Sequence, residues 1–224
     1  MSPPDPGVAV LRDTPLVRVP DFFPEAVATE IHRELRDGIQ YERVELGDVT
    51  RHWRGARPVG GVYFDPMLRR PGWQSPPLAT AAIDWFESVR FLSWLSRVAG
   101  EELTFLRPVT AYRMGKGDRL CLHDDMSSPE HAVSVAYNVT RDWRPEWGGA
   151  TLFGDVVGTT PLPTPPDSPI DLQRWHVVNE RRYSPVFNSL VVMALDTRFA
   201  HGVNEIIGDG QRFALVGIYS RVVP

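Results

Sequence analysis

Helical periodicity confined to the first hundred residues, eight short β-rich runs after them, and enough apolar content for one core together predict a mainly β protein. The expected architecture is a double-sheet jelly roll, or double-stranded β-helix, buttressed by N-terminal helices. A chain of 224 residues at 42% hydrophobic buries roughly 70 to 75% of its surface without help from disulfides or a structural metal. One domain over residues 1–224 is expected, with a helical and capping region at 1–100 and the jelly-roll core at 101–224.

Residues 1–20 are Pro-rich and read as an extended lead-in. Val27, Ile31 and Leu35 then fall at i, i+4 and i+8, with Pro24 at the first helical position and Gly38 closing the run, which predicts a short amphipathic helix. Residues 40–77 are irregular, rich in Gly, Pro, Trp and Arg, with strand-like pieces at "YERVEL" and "GGVYFD". Leu78, Ala82, Trp85, Phe86, Val89, Leu92, Leu95 and Val98 repeat at helical spacing up to Gly100 and predict one longer helical region. The eight strand runs are "LTFLRPVTAYRM", "RLCLHD", "AVSVAYNVT", "GATLFGD", "QRWHVVNERRY", "NSLVVMALD", "FAHGVNEI" and "RFALVGIYSR". Between the fourth and fifth, "VVGTTPLPTPPDSPIDL" is too Pro-rich for an interior strand and is expected to be a long surface loop of the kind that forms lids.

Composition excludes several chemistries. A net charge of −4 and scattered arginines give no basic field for nucleic acid. The single cysteine, Cys121, forbids an intramolecular disulfide. With no leader pattern and no apolar run of 18 residues, a soluble cytoplasmic protein without membrane partners is expected. Lys116, the only lysine, sits in "MGKGD", which is neither a phosphate-binding loop nor an apolar setting for a Schiff base. There is no G-x-S-x-G elbow, and Cys121 reads as a small strand residue rather than a nucleophile.

What remains is "RLCLHDDM". Side chains on a strand alternate faces, so His123 and Asp125 point together and Asp124 points away. Such a pair offers two cis ligands to one metal. A third must come from His32, His52, His131, His176 or His201; of these, His201 opens a strand that a jelly roll can lay beside the first. Two histidines and one carboxylate on one face of an octahedral ion leave three adjacent sites open, the arrangement of non-haem Fe(II) oxygenases. Arg212 heads the final strand, eleven residues after His201. Its paired N–H donors match the remote acid group of a dicarboxylate chelating the metal, the alternative being an ordinary ion-paired arginine.

The set "AYRMGKGDRLCLHDD", "SVAYNVTRDWRPEWGGATLFGD", "FNSLVVMALDTRFAHGVNEI" and "QRFALVGIYSR" resembles the prolyl-4-hydroxylase-like branch of the Fe(II)- and 2-oxoglutarate-dependent oxygenases. The resemblance spans about residues 102–222 and implies that His123, Asp125 and His201 ligate Fe(II). It further implies that Arg212 pairs with the far carboxylate of 2-oxoglutarate, that Tyr112 adds a hydrogen bond to it, and that O2 is the other cosubstrate. Many relatives carry an arginine about where His131 falls and a second tyrosine near Asn138. Asp125 argues against halogenating variants, which replace that carboxylate. Substrate contacts are expected from His131, Asn138, Arg221 and, in "TRHWRG", Arg51, His52 and Trp53, which otherwise form a solvated loop. Trp143, Trp147, Gly148 and Gly149 read as structural.

The activity so implied is hydroxylation of an unactivated C–H in a small, amino-acid-like molecule or biosynthetic intermediate, with release of succinate and CO2. Three alternatives stand beside it: a peptidyl-prolyl or other protein-residue hydroxylase, desaturation or ring closure, and a non-redox cupin-like metal- or ligand-binding barrel.

Overall fold

The structure is a computed structural model that describes residues 11, 14–46, 49–55, 77–106, 108–126, 128–164 and 172–222. In chain order these form β1 (Leu16–Val19), α1 (Glu25–Asp37), β2 (Tyr41–Leu46), β3 (Thr50–Gly55), α2 (Pro77–Phe86), α3 (Val89–Ala99), β4 (Leu103–Phe105), β5 (Thr110–Met114) and β6 (Arg119–His123). They continue as β7 (His131–Asn138), β8 (Thr151–Pro161), β9 (Gln173–Tyr183), β10 (Ser189–Ala194), β11 (Phe199–Val203) and β12 (Arg212–Arg221).

The eight strands from β5 onward make two antiparallel four-stranded layers, β10-β7-β12-β5 and β6-β11-β8-β9, and β3 joins them by pairing with both β5 and β6. This is the expected jelly roll. β1 extends the first layer along β10, β2 forms a hairpin with β3, and β4 pairs with the end of β12.

The helices cover the outer face of the first layer. Ala28, Ile31 and Leu35 of α1 are buried, and Pro24 stands just before the helix as its N-cap residue. The expected helix over 78–98 is two helices. Ser88 breaks it, its hydroxyl accepting the Phe91 N–H at 3.2 Å to cap α3, which ends at Gly100 with φ 73°. Glu34, buried in α1, accepts the Ala79 N–H at 2.6 Å and so fixes the first turn of α2.

Alternation along the strands decides what enters the barrel. Val133, Val135 and Tyr137 of β7, with Phe213, Leu215 and Tyr219 of β12, join Phe22, Phe86, Phe91 and Trp94 in the core beneath the helices. The intervening positions, among them Ala136, Asn138, Arg212 and Val216, face the other way, where Ala136 meets Phe153, Val191 and Met193 between the layers. A cation at position 212 is therefore carried inside the barrel by the pattern of its own strand.

Four boundaries differ from the sequence reading. Within the Pro-rich lead-in, residues 16–19 are a strand. "LTFLRPVTAYRM" divides near Pro108 into β4 and β5. The first part of the expected surface loop after "GATLFGD", residues 156–161, is strand, because β8 runs on to Pro161 and pairs with β9; both Pro and exposed side chains are tolerated at a sheet edge, and residues 165–171 of that loop lie outside the described residues. The far half of the β8–β9 pair lies against β6 and encloses an apolar cleft with Leu122, Leu152, Leu162 and Trp175. "TRHWRG" is not a loop but the joining strand β3. The expected piece "GGVYFD" lies outside the described residues.

Candidate active site

His123 ends β6 and His201 stands directly opposite it on β11. Their rings are 4.5 Å apart between centroids. The Asp125 carboxylate lies between them, 3.6 Å from His123 Nε2 and 3.2 Å from His201 Nε2. One ligand atom from each residue falls within 4.8 Å of the other two, and among the described residues this is the one place where three metal-ligating side chains converge. Asp125 arrives there by a different route from that expected. The strand stops at His123, and Asp125 takes a left-handed backbone, φ 56°, which turns its side chain back toward the histidines.

His123 Nδ1 faces the Cys121 carbonyl oxygen at 2.8 Å. A carbonyl only accepts, so Nδ1 carries a proton and Nε2 is the nitrogen available to a metal. Burial alone would lower the His123 pKa, but the charge and hydrogen bond of Asp125 outweigh it and raise the imidazole to about 9. Asp125 is the converse: burial opposes its charge, yet His123 and then His201 hold it well below the usual carboxylate range. His201 is lowered, by burial and by its neighbour His123. Without an ion the cluster is thus an imidazolium–carboxylate pair beside a neutral imidazole, and a divalent cation would take the place of one proton.

Arg212 lies deeper in the barrel and is 4% exposed. Its Nη1 donates to the Gly149 carbonyl oxygen at 2.9 Å, and its Nη2 donates to Asn138 Oδ1 and Thr151 Oγ1, both at 3.1 Å. All these acceptors are neutral, Nε has no partner among the described residues, and burial pulls the guanidinium down to about 10. A buried cation held only by neutral groups is costly until an anion joins it. Thr151 pairs with Val203, and the next inward step of that ladder pairs Phe153 with His201. Arg212 therefore contacts the barrel one strand step, about 7 Å, below the triad, a separation suited to a short dicarboxylate.

The "WGG" turn builds one wall of this cradle. Gly148 and Gly149 have φ 78° and 67°, and a Cβ on Gly149 would come 2.7 Å from the Trp143 ring. Trp143 meets Trp147 edge to face, and its Nε1 donates to the Gly148 carbonyl at 3.1 Å. The structural reading of these four residues is thus sharpened: they aim a carbonyl at Arg212. Thr151, which the sequence reading missed, follows two residues later at the head of β8; its only sequence signal is its inward phase, shared with Phe153.

The remaining candidates separate. Tyr112, on the inner face of β5, stacks on buried His52 of β3 with centroids 4.8 Å apart. His52 is lowered to about 4 by burial and then by Arg54 and Arg43, and it feels His123. Asn138 belongs to the Arg212 cradle. Trp53 lies under Arg43 and Arg113, and Arg51 pairs with Glu45, both on the opposite face of β3 from His52. His131 is buried, with Nδ1 2.5 Å from the Asp125 carbonyl oxygen. Arg221 is engaged by Glu101 and by the Pro129 carbonyl. His32 packs on Phe213 beneath the helices, and His176 of β9 faces Thr160 of β8, both away from the triad.

The residues fit an iron ion and an α-keto dicarboxylate. Three side chains that could ligate an ion converge in one place, and below them lies a buried guanidinium whose acceptors among the described residues are all neutral. The sequence model of the 2OG-Fe(II) oxygenase superfamily matches residues 109–220. No curated protein matches the chain by sequence. Among solved structures, the Trichoplax adhaerens prolyl hydroxylase in complex with a hypoxia inducible factor oxygen degradation domain peptide fragment is similar, with TM-score 0.64 and 14% identity over 96% of this chain and 89% of that one. A Pseudomonas putida prolyl-4-hydroxylase gives 0.62 and 15% over 98% and 100%. An oxidoreductase of the 2OG-Fe(II) oxygenase family from Burkholderia pseudomallei gives 0.58 and 19% over 95% and 88%. At these identities the likeness is one of fold. Among the described residues no helix is long and apolar enough to cross a membrane.

Proposed function

The chain belongs to the 2OG-Fe(II) oxygenase superfamily, and from that premise we propose that it hydroxylates an unactivated C–H of a small, amino-acid-like molecule or biosynthetic intermediate in the cytoplasm. The family makes it a dioxygenase that uses Fe(II), 2-oxoglutarate and O2. Bound together, these supply an oxidant able to remove a C–H hydrogen, with succinate and CO2 as coproducts; the protein supplies position and enclosure.

The observation that carries the reading is the triad set above a buried Arg212 whose partners among the described residues are all neutral. In this reading His123, Asp125 and His201 hold the iron, and Arg212 takes the far carboxylate of 2-oxoglutarate while Tyr112 adds a hydrogen bond to it. Residues 101–224 are the catalytic core, with 1–100 as its buttress and cap. For the substrate, support comes from β11 and β8 beside His201. Phe199 and Phe153 lie 5.4 Å apart there, with the Arg181 guanidinium 5.6 Å from the Phe153 ring. Phe153 is itself buried, so the surface this reading offers a substrate is half-buried Phe199 with the exposed Arg181 guanidinium near the same aromatic pair, an apolar ring and a cation that suit a short carbon chain carrying a carboxylate.

A protein residue is the second reading. It draws on two of the fold neighbours, which are prolyl hydroxylases, one of them in complex with a peptide fragment. The test is anaerobic titration of 2-oxoglutarate into Fe(II)-loaded protein, followed by the visible charge-transfer band of a chelated α-keto acid, then substrate-dependent succinate release. A band lost in His201→Ala, with release stimulated by free amino acids, supports the proposal. Stimulation only by proline-containing peptides moves the substrate to protein, and iron binding without a band moves the chain to a non-redox barrel.

A further inference from the structure

Asp125 has a left-handed backbone, φ 56°, a region that Asp and Asn visit more readily than other residues with a Cβ but that still costs energy relative to the extended strand before it. Were it to relax to the extended conformation of the preceding strand, its Cβ would swing away from His201 and the carboxylate would leave the space between the two histidines. Something must hold the turn. The Asp124 carboxylate accepts the Met126 N–H at 3.0 Å, which tightens the chain just beyond Asp125. The Asp125 peptide itself is held from one side chain only among the hydrogen bonds of the described residues: His131 Nδ1, 2.5 Å from the Asp125 carbonyl oxygen.

That contact fixes the proton. A carbonyl oxygen accepts, so Nδ1 must be the donor. The ring is anchored in turn. His131 is 3% exposed at the head of β7, its own N–H donates to the Ser128 carbonyl at 3.2 Å, and it pairs in register with Ser220 of β12. Arg221, the next residue on that strand, donates its N–H to the Glu130 carbonyl at 2.8 Å and its Nη1 to the Pro129 carbonyl at 2.5 Å. The return from Asp125 to β7 is therefore fastened to the end of β12, and His131 carries that rigidity back to the Asp125 peptide.

We propose that His131 is a positioning residue for the metal: by donating from Nδ1 to the Asp125 carbonyl, it locks the left-handed turn that points the Asp125 carboxylate between His123 and His201. The inference rests on reading the triad as the metal site. It acts through the backbone of a ligand rather than its side chain, so its signature is metal affinity.

The experiment is Mn(II) titration of the metal-free full-length chain and of His131→Ala, His131→Asn, His131→Gln and Asp125→Ala. Asparagine places its amide nitrogen where Nδ1 stands, whereas glutamine reaches to the position of Nε2. His131→Ala is expected to bind Mn(II) about 10- to 100-fold more weakly, His131→Asn within about threefold of the unmodified chain, and His131→Gln as weakly as His131→Ala. Equal affinity in His131→Asn and His131→Gln overturns the proposal, and that comparison stands even if His131→Ala does not fold. Failure of the triad reading looks different, because Asp125→Ala would then bind Mn(II) as well as the unmodified chain.

Discussion

Arg212 and Asn138 meet inside the barrel, Nη2 to Oδ1 at 3.1 Å, and this buried guanidinium has an amide among its three neutral acceptors where a folded protein more often supplies a carboxylate. The neutral partner leaves the positive charge available. Asn138→Asp would spend that charge inside the protein. Its 2-oxoglutarate affinity should fall at least tenfold, about 1.4 kcal/mol, while Fe(II) affinity stays unchanged. Anaerobic titration of each ligand checks both halves.

Arg212→Ala tests the same charge from the other side. Removing one member of a buried charge pair leaves the other unpaired, a loss of roughly 2 to 5 kcal/mol. The expected result is a fall of about 30-fold or more in 2-oxoglutarate affinity. Unchanged affinity would make Arg212 an ordinary strand arginine.

The triad predicts opposite pH responses for the metal-free and metal-bound protein. His123 is raised to about 9 by Asp125, above its unfolded value of about 6.5. In the metal-free chain the folded state therefore holds the extra proton between these values. The stability it confers is full below about 6.5 and is lost as pH rises through about 9. Metal must displace that proton, so Mn(II) affinity should instead rise, by about tenfold per pH unit between 7 and 9, and then level off. Thermal midpoints with and without Mn(II), measured across pH 6 to 10, would show the two curves diverging. Parallel curves would mean that His123 is not protonated in the metal-free state.

The convergence of His123 with His201 and the inward face of Arg212 were legible because period-2 alternation fixes strand faces and a jelly roll brings distant strands together; Asp125 joins the two histidines although it lies beyond the strand. The mechanism of the Asp125 turn was not legible, since H-x-D has the same spacing whether the backbone is extended or left-handed. Nor was the arginine cradle: Asn138 and Thr151 come to Arg212 from positions 74 and 61 residues away in sequence, through strand pairing alone. β3 was misread because the buried residue near the middle of "TRHWRG" is His52, so polarity did not mark its inner face. The far half of β8 was taken for loop because its side chains are mostly exposed, where nothing forces an apolar pattern.

One buried side-chain contact ties α1 to α2 within the helical buttress. Ala79 is fully buried, and its N–H is satisfied by the Glu34 carboxylate at 2.6 Å. Glu34→Ala would leave that donor unpaired and cost about 1 to 3 kcal/mol, read as a lower midpoint in chemical denaturation. Glu34→Gln keeps an acceptor and should lose less. Equal losses would show that packing of the side chain, not the hydrogen bond, holds α2 to α1.

Gly149 links the structural "WGG" turn to the ligand pocket. Its φ of 67° and the 2.7 Å approach a Cβ would make to Trp143 leave no room for alanine without moving the peptide. That peptide carries the carbonyl which accepts from Arg212 Nη1. Gly149→Ala should cost about 1 to 2 kcal/mol of stability for the left-handed backbone alone, and more for the clash. Because the carbonyl moves while His123, Asp125 and His201, at the end of β6, in the turn after it and on β11, do not, 2-oxoglutarate affinity should fall with Mn(II) affinity unchanged. Loss of both would place the effect on the whole second layer of the barrel rather than on the aim of Arg212.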